Sequence, residues 1–97
     1  MPEQQPNKQQ QEIKVADNIP GAEYANAMQV SHNKDEFNLF FFNILGASGK
    51  VVAKIITNPG HFKRMLAALD DNLKKYEERF GKIEESEAPA KEIGFRG

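Results

Sequence analysis

The residues of this chain that could do chemistry are few and scattered. There are two histidines, His32 and His61, and no cysteine. A zinc site needs several ligands at set spacings, and neither histidine has a second histidine or a cysteine near it. Asp35 and Glu36 follow His32, but two acids beside one histidine read as a solvated loop. His61 falls in the first turn of a predicted helix, where the positive end of the helix dipole disfavours a charged imidazole. Ser31, Ser48 and Ser86 have no base and orienting acid beside them, and no nucleophile-elbow motif is present. Asp70, Asp71, Glu77 and Glu78 are spaced for the solvent side of a helix, with nothing to place them in a cleft as a general acid and base. "GASGKV", Gly46 to Val51, resembles the end of a phosphate-binding loop. It fails because Ile44 stands at the first glycine, Val51 replaces the magnesium-binding hydroxyl, and a strand follows where a helix is required. The chain reads as a non-enzyme with no catalytic residue, metal or cofactor.

One charge pattern points elsewhere. No Asp or Glu occurs from Phe37 to Leu69, while Lys50, Lys54, His61, Lys63 and Arg64 do. Basic residues beside aromatic strands are one way to hold single-stranded nucleic acid. A formal net charge of −1, the acidic C-terminal stretch and the absence of an Arg-rich run argue against it. Nucleic-acid binding is therefore the alternative reading, behind a polar rim on an interaction surface.

The elements that must carry these residues follow from pattern. Ninety-seven residues suit one small domain. The hydrophobic share of 39% lies below the roughly 45–50% of a globular chain, a reference that also counts Gly. The shortfall sits at the ends. Met1 to Gln11, rich in Gln and Pro, reads as a disordered arm. The domain is expected over residues 12–84, and residues 85–97 as a flexible acidic tail. No apolar leader and no run near the ~20 apolar residues of a membrane span occur, so a cytoplasmic protein without a membrane partner is expected.

Within the domain, "EIKVAD", Glu12 to Asp17, alternates like a short edge strand, and "NIPG", Asn18 to Gly21, is turn chemistry. Tyr24 to His32 reads as a strand and "HNKDE" as a reversal. "FNLFFFNIL", Phe37 to Leu45, is a strand, "GASG" a tight turn, and "KVVAKIIT", Lys50 to Thr57, a β-branched strand. Such short links predict an antiparallel meander of three or four strands. A long C-terminal helix follows, with Asn58 as N-cap, Pro59 at its first position and Gly81 as a left-handed C-terminal residue. Phe62, Leu66, Leu69, Leu73, Tyr76 and Phe80 recur at steps of four and three, one apolar stripe expected to pack on one sheet face. Asp70 with Lys74 and Asp71 with Lys75 make acid-first i,i+4 pairs, and Ile83 packs back beyond the cap. The fold class is α+β.

The Phe-rich strand is apolar on both faces, because successive side chains alternate. One helix covers one face. Leaving Phe40, Phe42 and Ile44 exposed on the other forfeits about 1.5–3 kcal/mol each. A second copy of the chain, meeting this face across a two-fold axis, is the economical cover. Phe40, Phe42, Ile44, Val52 and Ile56 are the expected oligomer interface of a homodimer or higher homo-oligomer.

"YAN" at Tyr24, "SHNKDEF" at Ser31, "NPGHFKRML" at Asn58 and "NLKKYEERFGKI" at Asn72 stand in an order that resembles a small prokaryotic domain-of-unknown-function family, number 3467. The resemblance spans about Glu12 to Glu84 and implies no activity. It implies an acidic residue where this chain has Phe40, so this member's second face is the more apolar. The function expected is a small homo-oligomeric adaptor or scaffold that takes a protein partner, with "IGFRG", Ile93 to Gly97, as a candidate recognition segment. A chaperone-like variant rests on a fold-level resemblance to the export chaperone SecB.

Overall fold

The computed structural model describes residues 12–86. The expected N-terminal arm, most of the acidic tail and the Ile93–Gly97 segment lie outside the described residues. Three strands and one helix follow in order: β1 (Ala27–His32), β2 (Phe37–Leu45), β3 (Ser48–Thr57) and α1 (Pro59–Phe80). The strands form an open antiparallel sheet in the order β1-β2-β3, so the Phe-rich strand is central. The arrangement is α+β, as the pattern predicts.

The turns are built by the residues that punctuate the sequence. Asn33 caps the first reversal: its Oδ1 accepts from the amides of Asp35 at 2.8 Å and Glu36 at 2.9 Å. The second is a two-residue turn between Leu45 and Ser48 with Gly46 at φ 63°, a left-handed value that costs glycine little. The stretch that mimics a phosphate loop is thus a hairpin running straight into β3.

Four expectations change in detail. The first strand begins at Ala27, not Tyr24, and β3 begins at Ser48, not Lys50. Glu12 to Asp17 is not a strand; it lies exposed, with no ladder neighbour to satisfy its backbone. Gly81 has the positive φ expected of a C-terminal cap, 98°, but with ψ 166° it is not left-handed helical. That combination belongs to a region that essentially only glycine enters.

The helix obeys its end signals. Asn58 Oδ1 accepts from the His61 amide at 2.7 Å, Pro59 opens the first turn, and the Gly81 amide donates to the Glu77 carbonyl at 2.9 Å. Beyond the cap the Ile83 amide donates to Glu77 Oε2 at 3.0 Å, while the Ile83 side chain, expected to pack back, stays exposed. Both i,i+4 pairs form, Lys74–Asp70 at 2.9 Å and Lys75–Asp71 at 3.1 Å.

The apolar stripe, however, is not buried on the sheet of its own chain. Leu66 is 54% exposed, Leu69 64% and Phe80 65%, and no helix residue is buried. The reason is the link. Only Asn58 separates Thr57 from Pro59, whereas strand-to-helix turns ordinarily use about two to six residues. So short a link leaves no room to fold the whole helix back over the strands. Contact is made at the first turn, where the Phe62 ring stacks on Phe37 at 4.1 Å and 4° between planes.

Candidate interaction surface

Register decides which side chains share a face. On β2, Phe37, Leu39 and Phe41 oppose Thr57, Ile55 and Ala53 of β3, and His32, Val30 and Met28 of β1. These make the Leu39 face. On the reverse, Asn38 opposes Ile56, Phe40 opposes Lys54, Phe42 opposes Val51 and Ile44 opposes Gly49. These make the Phe42 face. Phe37 belongs to the Leu39 face, so the helix sets out from that side.

The pairing is not uniform along β3. Phe41 pairs with Ala53 but Phe42 pairs with Val51, so Val52 is an extra residue, a β-bulge. Alternation from Lys54 and Ile56 puts Val52 on the Phe42 face, and pairing puts Val51 there too. The bulge therefore thickens this face with two adjacent valines. The same face holds all five residues expected at an interface: Phe40, Phe42, Ile44, Val52 and Ile56. They differ in exposure. Phe42 is 3% exposed; Phe40, Ile44 and Val52 are half-buried; Ile56 is 64% exposed.

Gly49 shapes one edge of the same face. A methyl group there would stand 2.8 Å from Ile44 Cγ1 and 3.1 Å from the Asn43 carbonyl. Ile44 thus lies across the place where a Gly49 side chain would go. At the far edge Asn26 extends the ladder beyond β1. Its amide donates to the Ile44 carbonyl and its oxygen accepts from the Ile44 amide, both at 2.9 Å.

The residues of the nucleic-acid alternative are distributed differently. Lys50 opposes Asn43 near the hairpin turn and lies on the Leu39 face. Lys54 lies on the Phe42 face, its ammonium 5.5 Å from the centre of the Phe40 ring. His61, Lys63 and Arg64 open the helix, past the other end of β3. There Arg64 Nη2 approaches His61 Nδ1 at 3.3 Å. From Lys50 to Thr57 the strand spans roughly 23 Å. The first-turn residues cluster; the two strand lysines are separate from them and from each other.

His32 packs against Phe37, ring centres 5.4 Å apart. Among the described residues no group of three His, Cys, Asp or Glu is placed to hold a metal ion. No helix among them is long and apolar enough to cross a membrane. Asp70, by hydrogen bond and charge, holds the Lys74 ammonium above its ordinary range.

What sequence reasoning misses is the amount of apolar surface left open elsewhere. The helix stripe is one part. Met28, Val30 and Ile55 on the Leu39 face are another, and Ile13, Val15, Ile19 and Tyr24 of the exposed segment before β1 a third. The one signal available beforehand was the length of the link at Asn58.

With this geometry in view, the class of protein is a small open-sheet α+β domain whose apolar surfaces outrun its own core. The chain belongs to the family described as "Protein of unknown function (DUF3467)", whose model matches residues 1–85. No curated protein and no solved structure shows significant similarity to it.

Proposed function

We propose that the protein is a homo-oligomeric, non-enzymatic interaction module of the cytoplasm, an adaptor or scaffold that takes a protein partner. One observation carries the reading. Among the described residues only Leu39 and Phe42 are buried apolar side chains, one on each face of the sheet. Contiguous exposed apolar surface of this kind marks interfaces. A chain that buries so little alone gains most of its stability when other chains cover it.

The Phe42 face is one contact between copies, with exposed Ile56 at its helix end and Val52 further along β3, beyond Lys54. Sedimentation equilibrium of the full chain tests this. The expected result is an oligomer at micromolar concentration whose mass falls with Ile56→Asp while helix content persists. A monomeric wild-type protein would overturn the oligomeric reading, and an unchanged mass in the variant would remove this face from it. Salt-sensitive binding of a labelled single-stranded oligonucleotide, lost when Lys63 and Arg64 are replaced by Gln, would instead favour nucleic acid.

A further inference from the structure

The exposed helix stripe is more regular than an amphipathic surface requires. Leu66, Leu73 and Phe80 recur every seven residues, and Phe62, Leu69 and Tyr76 recur every seven between them. A strict repeat of 3.5 residues is the narrow seam of a two-helix coil, whereas a helix lying on a sheet shows a broader apolar band. Here the flanking positions are mostly polar: Lys63, Asp70 and Glu77 on one side, Met65, Asn72 and Arg79 on the other.

We propose that α1 pairs with α1 of a second copy, antiparallel, across a two-fold axis near Asp71. This rests on the oligomeric reading above and names a contact separate from the Phe42 face. The steps 4, 3, 4, 3, 4 read the same in both directions. Reversal about the axis therefore lays every seam residue on a seam residue: Phe62 on Phe80, Leu66 on Tyr76, Leu69 on Leu73 of the second copy. The Phe80 ring of one copy then arrives at the Phe37–Phe62 stack of the other. The Tyr76 and Phe80 rings already touch, with centres 4.9 Å apart, and present one aromatic end to it.

Charge selects the antiparallel sense. The first half of the helix, Pro59 to Leu69, holds Lys63 and Arg64 and no acid, and its first turn has none to complement the dipole. The second half, Asp70 to Phe80, carries four acids against three bases. Antiparallel pairing brings Lys63 beside Glu77 of the second copy, twice by symmetry, and sets the two helix dipoles head to tail. Parallel pairing would bring both basic first halves together. The antiparallel form does place the two Asp70 residues near the axis, but each is engaged by its own Lys74 at 2.9 Å. Asn72, exposed and next to the axis, meets its own copy there.

Because the chain has no cysteine, single introduced thiols read the pairing directly. Asn72 and Leu66 are both exposed, so neither Asn72→Cys nor Leu66→Cys removes a buried contact within the chain; Leu66→Cys, which trims a seam side chain, is read only for whether it cross-links. Under mild oxidation Asn72→Cys is expected to form a disulfide-linked dimer. Leu66→Cys is not, since two copies of residue 66 lie roughly 15 Å apart along antiparallel axes. Cross-linking of Leu66→Cys would mean parallel helices and overturn the proposal. Neither cross-link in a protein that sediments as an oligomer would show that another surface covers the stripe, again overturning it. In that case the oligomeric reading stands; a monomeric wild-type chain defeats both. As a second readout, Leu69→Lys should raise the dimer dissociation constant at least about a hundredfold with unchanged strand content, and an unaltered constant would also refute the seam.

Discussion

The side chain of Asn26 stands in for a stretch of backbone. Through one amide it donates to the carbonyl of Ile44 and accepts from its N–H, both at 2.9 Å, the exchange that a paired strand residue would make. The Asn26 amide nitrogen of the main chain also donates to the Phe42 carbonyl at 2.9 Å. The ladder between β1 and β2 is thereby prolonged past Ala27 without a further strand residue, and the end of β2 next to the hairpin is held in register. A side-chain amide donates and accepts at once through two separate atoms, spaced as a backbone N–H and C=O would be for this exchange.

Asn26→Ala removes both side-chain bonds and should lower stability by about 1–2 kcal/mol, read from the urea midpoint. Asn26→Asp keeps an acceptor and loses the donor, so it should fall between Ala and the wild type. Equal stability of all three proteins would show that the pair is incidental.

Gly49→Ala forces the new methyl against Ile44, whose Cγ1 would be 2.8 Å away. Overpacking of this sort typically costs about 1–3 kcal/mol. The double variant Gly49→Ala with Ile44→Ala should be less destabilised than the two single effects added together. Additivity of the two changes would mean that the side chains do not compete for one space.

Phe62 is where helix and sheet meet, its ring stacked on Phe37. A double-mutant cycle with Phe62→Leu and Phe37→Leu should return a coupling of about 0.5–1.5 kcal/mol. Phe62→Leu alone should leave both the sheet and the helix formed while loosening their relative orientation, visible as lost nuclear Overhauser contacts between residues 37 and 62. A coupling of zero would place the joint elsewhere.

The helix ends should respond to substitution in opposite chemical senses. Asn58→Ala removes the acceptor for the His61 amide and should cost about 1 kcal/mol, with Asn58→Asp close to wild type. Gly81→Ala must hold φ 98° and ψ 166° with a Cβ, a strain of about 1–3 kcal/mol. Amide exchange in the terminal turns distinguishes them, the first variant fraying the start and the second the end.

The Lys74–Asp70 pair sets the sign of a small alkaline effect. The folded-state value of Lys74 is raised above the ordinary 10.5, chiefly by its hydrogen bond to Asp70. Its contribution is fully present below the unfolded lysine value and is lost as pH rises through the folded one. Side chains that are 71% and 59% exposed make that loss small. A helix signal that melts well below the lysine range would assign the transition to other groups.

Much of the architecture was legible in residue types alone. The strand positions of the Phe-rich segment, the glycine turn, both helix caps and the acid-first pairs all depend on neighbours a few residues apart, so local chemistry specifies them. Even the five residues Phe40, Phe42, Ile44, Val52 and Ile56 could be placed on one face by alternation. For the three on β2 and for Val52 and Ile56 on β3, that parity survives because all are read from unbroken runs; the bulge adds Val51 to them.

Other features were decided only in three dimensions. Alternation alone cannot reveal that a bulge opposite Phe41 and Phe42 shifts the pairing of the hairpin end of β3, which sends Lys50 and Lys54 to opposite faces. Nor does a stripe of Leu and Phe announce whether the sheet of its own chain will reach it. Periodicity reports that a face is apolar; whether the chain covers that face itself depends on where the backbone goes next. Here one residue, Asn58, joins strand to helix, and that short link carries the stripe away from the sheet. The sequence by itself determined the three strands, the helix and the two faces of the Phe-rich strand. The tertiary structure determined which of those faces the chain leaves open, because covering a surface depends on the reach of the backbone and not on the character of the side chains.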